Sequence, residues 1–249
     1  MTTPIRTKTY FVEILLIVLS ALCAILAVIL SNKTVFFFPS IQSTLVNGET
    51  NLQLGSGQMP LAHAGIFLSF IFTYLLFEFY SFKPAFYTTL CSALAIILTL
   101  VIVTQLQIHV LKPDTSHGDA VLSEALTFDR KTFVALALGM ALGVGLALMI
   151  AASIKRIMHN YLMFIRFPIA SLIGFGVFTG VTVYITQFQT LALPSLILAA
   201  ITPYSHFAAL IVGAVVPLYV LRLVFGIFRG RVPKEKKIET EPKVESKSL

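Results

Sequence analysis

Long apolar runs alternate with polar stretches along the whole chain. The runs cover residues 11–30, 59–80, 85–105, 132–154, 167–187 and 191–228. Each meets or exceeds the roughly 20 residues that cross a bilayer as a helix. The first is interrupted only by Glu13, which suits the positive dipole at a helix start. It is longer than a signal-peptide core and no small-residue cleavage site follows, so it reads as a retained span. Residues 31–59 carry Gly48, Gly55 and Gly57 without a hydrophobic period, and read as a long irregular connection. The Ser81-Phe82-Lys83-Pro84 turn is so short that the second and third spans must be antiparallel neighbours. A second polar loop covers 106–131.

Small residues punctuate the later spans. Gly139-x-x-x-Gly143 in the fourth allows close approach of two backbones, and Gly174, Gly176 and Gly180 mark the fifth. The last run is too long for one straight span. Pro203, in Thr202-Pro203-Tyr204-Ser205-His206, predicts a break or kink, with the sixth helix over about 205–225. The expectation is an all-α polytopic membrane protein of six helices. It places a short N-terminus at 1–9, a single bundle at 10–228 and a charged, disordered tail at 229–249.

Composition agrees: 57% of residues are hydrophobic and only 12% are charged, far from the balance of a soluble domain. With six spans, Arg6, Lys8, Lys83, Lys155, Arg156, Arg166, Arg222 and the basic tail fall on one side. Only Lys33, Lys112, Arg130 and Lys131 fall on the other, diluted by acids. The positive-inside rule then puts both termini in the cytoplasm of an inner (plasma) membrane. Cys23 and Cys91 lie inside spans and read as buried hydrophobes. No phosphate-cradling loop, metal-ligand cluster or nucleophile–base arrangement is recognisable, so no enzyme, cofactor or metal is expected. The tail lacks interleaved aromatics and is rich in glutamate, which argues against nucleic acid as a partner. The expected partners are the bilayer and a small solute, with a homo-oligomer left open.

Polar groups inside the spans are the remaining signal: Asn32, Glu78, Arg166, Ser171, Thr179, Thr182 and Gln187. A carboxylate in a span is expensive. Glu78 therefore has two readings: a solute- or proton-handling group facing the bundle, or an acid near a helix end that reaches headgroups or pairs with Lys83. His63 and His206 read as packed or backbone-bonded more readily than as catalytic. Together the polar groups and small-residue helices suit a cavity for a small polar solute.

Several of these segments resemble the queuosine precursor transporter family, also called the vitamin uptake transporter family. They are Asn32-Lys33-Thr34-Val35, the stretch from Ala64-Gly65-Ile66 to Phe70, and Glu78-Phe79-Tyr80-Ser81-Phe82-Lys83-Pro84-Ala85. Arg166, Ser171-Leu172-Ile173-Gly174 and Pro217-Leu218-Tyr219 complete the set. The resemblance touches most of residues 11–225 and implies a six-helix bundle similar to the substrate-binding subunits of energy-coupling-factor importers. It also implies uptake of a 7-deazaguanine base. The chain departs from the family pattern at three acids: Tyr74 stands where the family has Asp, and Phe175 and Phe178 stand where it has Glu and Asp. Losing such acceptors should change the substrate, while aromatic rings can still stack on a flat one.

The resulting expectation is a transporter for a small planar, nucleobase- or vitamin-like solute. Asn32, Glu78, Arg166 and Ser171 would form the site, with Tyr74, Phe175 and Phe178 as its altered walls. The alternative is a non-transporting membrane scaffold or partner-binding subunit derived from that family.

Overall fold

The computed structural model describes residues 4–31, 33–46, 49–109, 130–157 and 163–229. Its elements run α1 (Pro4–Ile29), β1 (Thr34–Val46), β2 (Glu49–Pro60), α2 (Leu61–Phe79), α3 (Phe82–His109), α4 (Arg130–Ile157), α5 (Met163–Gln187) and α6 (Leu193–Arg229). Among the described residues six helices are long and apolar enough to cross a membrane, so the chain is a multi-pass membrane protein. The tail at 230–249 and residues 110–129 of the second loop lie outside the described residues.

Helices dominate because lipid offers backbone groups no water, so each span must satisfy its own N–H and C=O groups. The core lies where α2, α4 and α5 meet, with Phe70, Tyr74, Leu136, Val144, Phe167 and Phe175 buried. Outward faces stay apolar, as lipid requires: Ile14 and Leu22 on α1, Leu94 and Ile97 on α3, and Val212 and Val216 on α6 are exposed.

Close backbone approach holds two of the helix pairs. A Cβ built on Gly65 would lie 2.6 Å from the Cβ of Ala27, so α1 and α2 touch there without side chains between them. Gly143 meets Gly174 in the same way: a Cβ on Gly143 would lie 2.7 Å from the Gly174 carbonyl oxygen. The Gly139-x-x-x-Gly143 pattern thus packs α4 against α5. Within α4, residues Met140–Val144 form a π-helical turn, which re-phases the helix face at this crossing. A buried hydroxyl knot ties α1, α2 and α3 together. Ser20 Oγ lies 3.0 Å from Ser69 Oγ, 2.9 Å from Thr73 Oγ1 and 3.2 Å from Ser92 Oγ.

Two connections differ from their sequence reading. The stretch read as an irregular connection at 31–59 holds a long antiparallel hairpin, with Thr34 opposite Pro60, Ile41 opposite Leu54 and Val46 opposite Glu49. Its register shifts between Val35 and Phe38. The missed signal was Asn47-Gly48 between the strands, the dipeptide most typical of two-residue hairpin loops. The glycines diluted the alternation, and backbone pairing does not need it.

The second difference is Pro203. No break occurs there: α6 is one helix of 37 residues containing Pro203 and Pro217. Pro203 forfeits one backbone bond, whereas ending the helix in an apolar environment would leave several groups unpaired. At about 1.5 Å per residue α6 is about 55 Å long, well beyond the hydrocarbon core of about 30 Å. Its first turns carry the hairpin. Thr202 Oγ1 donates to the Ile41 carbonyl at 3.0 Å, and the Ile41 N–H donates to Ser205 Oγ at 2.9 Å. Both backbone groups of Ile41 are therefore held by the two hydroxyls that flank the Pro203-Tyr204 pair. Replacing Ser205 with Ala should remove one clamp and cost about 1–2 kcal/mol of local stability. Amide exchange and proteolysis in β1 should accelerate while the helices keep their protection; unchanged exchange at Ile41 would show that the clamp is dispensable.

Candidate functional site

Four charged side chains converge at the end of the bundle opposite the hairpin. Glu78 lies one residue before the end of α2, and its side chain is only 3% exposed. Its Oε2 takes an ion pair from Arg166 Nη2, and Lys155 Nζ stands 3.7 Å from the same oxygen. Oε1 takes Arg222 Nη2 at 3.1 Å. One carboxylate from α2 is thus shared by cations from α4, α5 and α6.

Each partner is positioned by its own helix. Arg166 sits in the first turn of α5 and is 2% exposed, among the largest fully buried side chains. Its Nε–H donates to the Tyr74 hydroxyl at 3.2 Å. Tyr74 and Glu78 are one turn apart on α2, so one face of that helix offers the guanidinium both an uncharged and a charged oxygen. Lys155 comes from the last turn of α4, where its charge suits the helix dipole. Its ammonium also lies over the Phe77 ring, 4.9 Å from the centroid. Arg222 reaches in from α6 with its other nitrogen, Nη1, 3.6 Å from the Met163 thioether. Lys155 and Arg222 are 27% and 33% exposed, so the cluster is sealed toward the core and open toward the bundle end.

Above the cluster, aromatic rings fill the space between α2, α5 and α6. Phe175 stacks on Phe207 with centroids 4.3 Å apart, meets Phe70 edge-on at 5.2 Å and touches Phe178 at 5.9 Å. Phe167 meets Tyr74 edge-on at 5.0 Å. This ring assembly ends at a histidine pair. His63 Nδ1 and His206 Nδ1 are 3.4 Å apart, and His63 packs on Phe207.

The expected site residues therefore divide. Tyr74, Glu78 and Arg166 are brought into one hydrogen-bonded unit. Glu78 does not pair with Lys83, which is exposed; it is held by Arg166, Arg222 and Lys155. Ser171 is fully buried but donates to the Phe167 carbonyl of its own helix, and Thr179 and Thr182 likewise bond one turn back to Phe175 and Phe178. Phe175 and Phe178 pack ring against ring. Asn32 lies outside the described residues. Along the sequence Lys155 and Arg222 read only as charges that set topology. The available signal was Arg222 itself, a full charge inside Tyr219–Phe225 with apolar neighbours on both sides.

No family model, no curated protein and no solved structure matches the chain. The fold and the cluster define its class: a multi-pass membrane bundle with six spans among the described residues and a partly buried ion cluster at one end.

Proposed function

We propose that the protein is an inner-membrane transporter, with both termini in the cytoplasm, for a small planar nucleobase- or vitamin-like solute. The observation that supports this reading best is the carboxylate of Glu78 held by cations from three other helices. Intramembrane ion pairs are expensive and tend to mark solute or ion pathways. A cluster spanning four helices also joins the parts that must separate for a path to open. Glu78, Arg166 and Tyr74 offer acceptor and donor groups for a polar edge, and the neighbouring Phe rings offer flat faces to a ring that displaces them. The resemblance to queuosine precursor transporters makes a 7-deazaguanine the first solute to try. The packed rings and the absent family acids favour a second reading, a membrane scaffold or partner-binding subunit that does not transport.

Uptake of labelled 7-deazaguanines and vitamins into cells expressing the chain separates the two. One of these solutes should accumulate above an empty-vector control. Lys155→Gln removes the most distant partner and leaves the buried pair, so it should alter uptake at least severalfold while the membrane level of protein holds. Correctly inserted protein that accumulates none of them would leave the scaffold reading standing. Reporter fusions at residues 45, 120 and 190 should report the outer side, and those at 83, 160 and 240 the cytoplasm. A cytoplasmic signal at any of the first three would overturn the orientation.

A further inference from the structure

Among the described residues the charges of the cluster do not balance. Arg166, Lys155 and Arg222 contribute three positive charges and Glu78 one negative, leaving a formal +2 within contact distance of a single carboxylate. Both carboxylate oxygens are already in use. Arg222 still directs Nη1 at the Met163 sulfur, 3.6 Å away, and a thioether is a weak acceptor for a guanidinium N–H. Lys155 and Arg222 are the two partly exposed members, so the unbalanced charge faces outward.

An apolar cleft begins where Arg222 meets Met163. It lies between α5 and α6 and is lined by Met163, Phe164, Phe167, Val215, Leu218 and Tyr219. Val215, Leu218, Tyr219 and Arg222 are spaced as one stripe of a helix, so the cleft runs up α6 directly from the guanidinium. Phe164 and Tyr219 meet across it as tilted rings with centroids 4.8 Å apart and are 50% and 37% exposed, which leaves its mouth toward the lipid-facing surface.

A cationic head joined to a lipid-facing apolar cleft has a definite complement. We propose that Arg222 and Lys155, with the α5–α6 cleft, form a binding site for an anionic phospholipid, its phosphate on the two cations and an acyl chain along Val215, Tyr219 and Phe164. A phosphate oxygen would replace the Met163 sulfur as the acceptor for Arg222 Nη1, and the phosphate charge would offset part of the surplus. Guanidinium groups bind phosphate in a fork geometry, and basic pockets between membrane helices are established sites for acidic headgroups. A free anion would satisfy the charge but leave the cleft unused; a zwitterionic lipid would fill the cleft but bring its own cation. The site is independent of whether the protein transports anything.

The test uses the full chain, purified in mild detergent and depleted of lipid. Native mass spectrometry and thermal melting are followed on adding phosphatidylglycerol, phosphatidylethanolamine or inorganic phosphate. Phosphatidylglycerol should bind with a melting rise of several degrees and be retained at least tenfold better than phosphatidylethanolamine. Inorganic phosphate at the same concentration should do neither. Arg222→Gln should lose at least tenfold in phosphatidylglycerol retention. Should that variant fold poorly, Val215→Trp, which fills the cleft and leaves every charge in place, should lose the lipid as well. Equal retention of the two lipids, an equal response to inorganic phosphate, or unchanged phosphatidylglycerol retention in a folded variant of either kind would each overturn the proposal.

Discussion

Glu78→Gln should be the most damaging conservative change in the protein, lowering stability by about 3 kcal/mol, near the low end of the range for breaking a buried pair. On sequence alone this variant looks benign, because shape and hydrogen-bonding capacity are nearly kept. The cluster reverses that expectation. Glu78 carries the negative charge for three cations, one of them Arg166 at 2% exposure. An amide would leave Arg166 bonded to the Tyr74 hydroxyl and an uncharged oxygen, with two like charges close by. Lys155 and Arg222 can swing toward solvent, which keeps the cost from rising further. Thermal melting in detergent should show a drop of roughly 6–12 °C, taking about 2–4 °C per kcal/mol for a chain of this size. Glu78→Gln combined with Arg166→Met should recover part of the loss, because the buried cation then disappears with its partner. A double variant less stable than both singles would show that the pair does not act as a unit.

The second large effect concerns the α4–α5 crossing. Gly143→Ala and Gly174→Ala should each cost about 1–3 kcal/mol, the usual penalty for overpacking. The new methyl at 143 would sit 2.7 Å from the Gly174 carbonyl oxygen and 2.9 Å from the Phe178 nitrogen. At 174 it would sit 2.6 Å from the Gly143 carbonyl oxygen. Backbone on both sides can yield only by moving the helices apart. Gly139→Ala should cost less, since its nearest neighbour is the Thr182 hydroxyl at 2.8 Å, the end of a side chain. Gly180→Ala meets nothing within 4 Å and should be neutral or stabilising by up to about 1 kcal/mol, the helix propensity gain over glycine. The ranking can be read from yields and melting of the four variants. Equal tolerance at 143 and 180 would place α4 and α5 farther apart than the structure does.

Much of the architecture was legible along the chain, because a membrane span is a local property. Twenty apolar residues make a crossing helix whatever surrounds them, so the six helices follow from sequence to within a few residues at most ends. Gly139 and Gly143 announced a close approach for the same reason: the absence of a side chain is written in the sequence, and only the partner, Gly174, is not. The hairpin and the uninterrupted α6 were harder. Strand pairing between 34–46 and 49–60 rests on backbone bonds that side-chain periodicity does not report. The cost of Pro203 depends on what the alternative would expose, which involves the environment and not the residue.

The site shows the same division. The chain alone marks Glu78 and Arg166 as charges within or at the ends of apolar spans, where a buried charge needs a partner, and leaves Glu78 free to face the bundle or the headgroups. It could not determine which partners. Lys155, Arg166 and Arg222 are separated from Glu78 by scores of residues and lie on three other helices, and only the packing of α4, α5 and α6 around α2 brings them to one carboxylate. Packing likewise turned Ser171 back onto its own helix and set Phe175 against Phe207. Those outcomes depend on helix rotation. Turning a helix by a fraction of a turn exchanges a cavity wall for a packed ring without altering its apolar content, so the tertiary structure alone decided them.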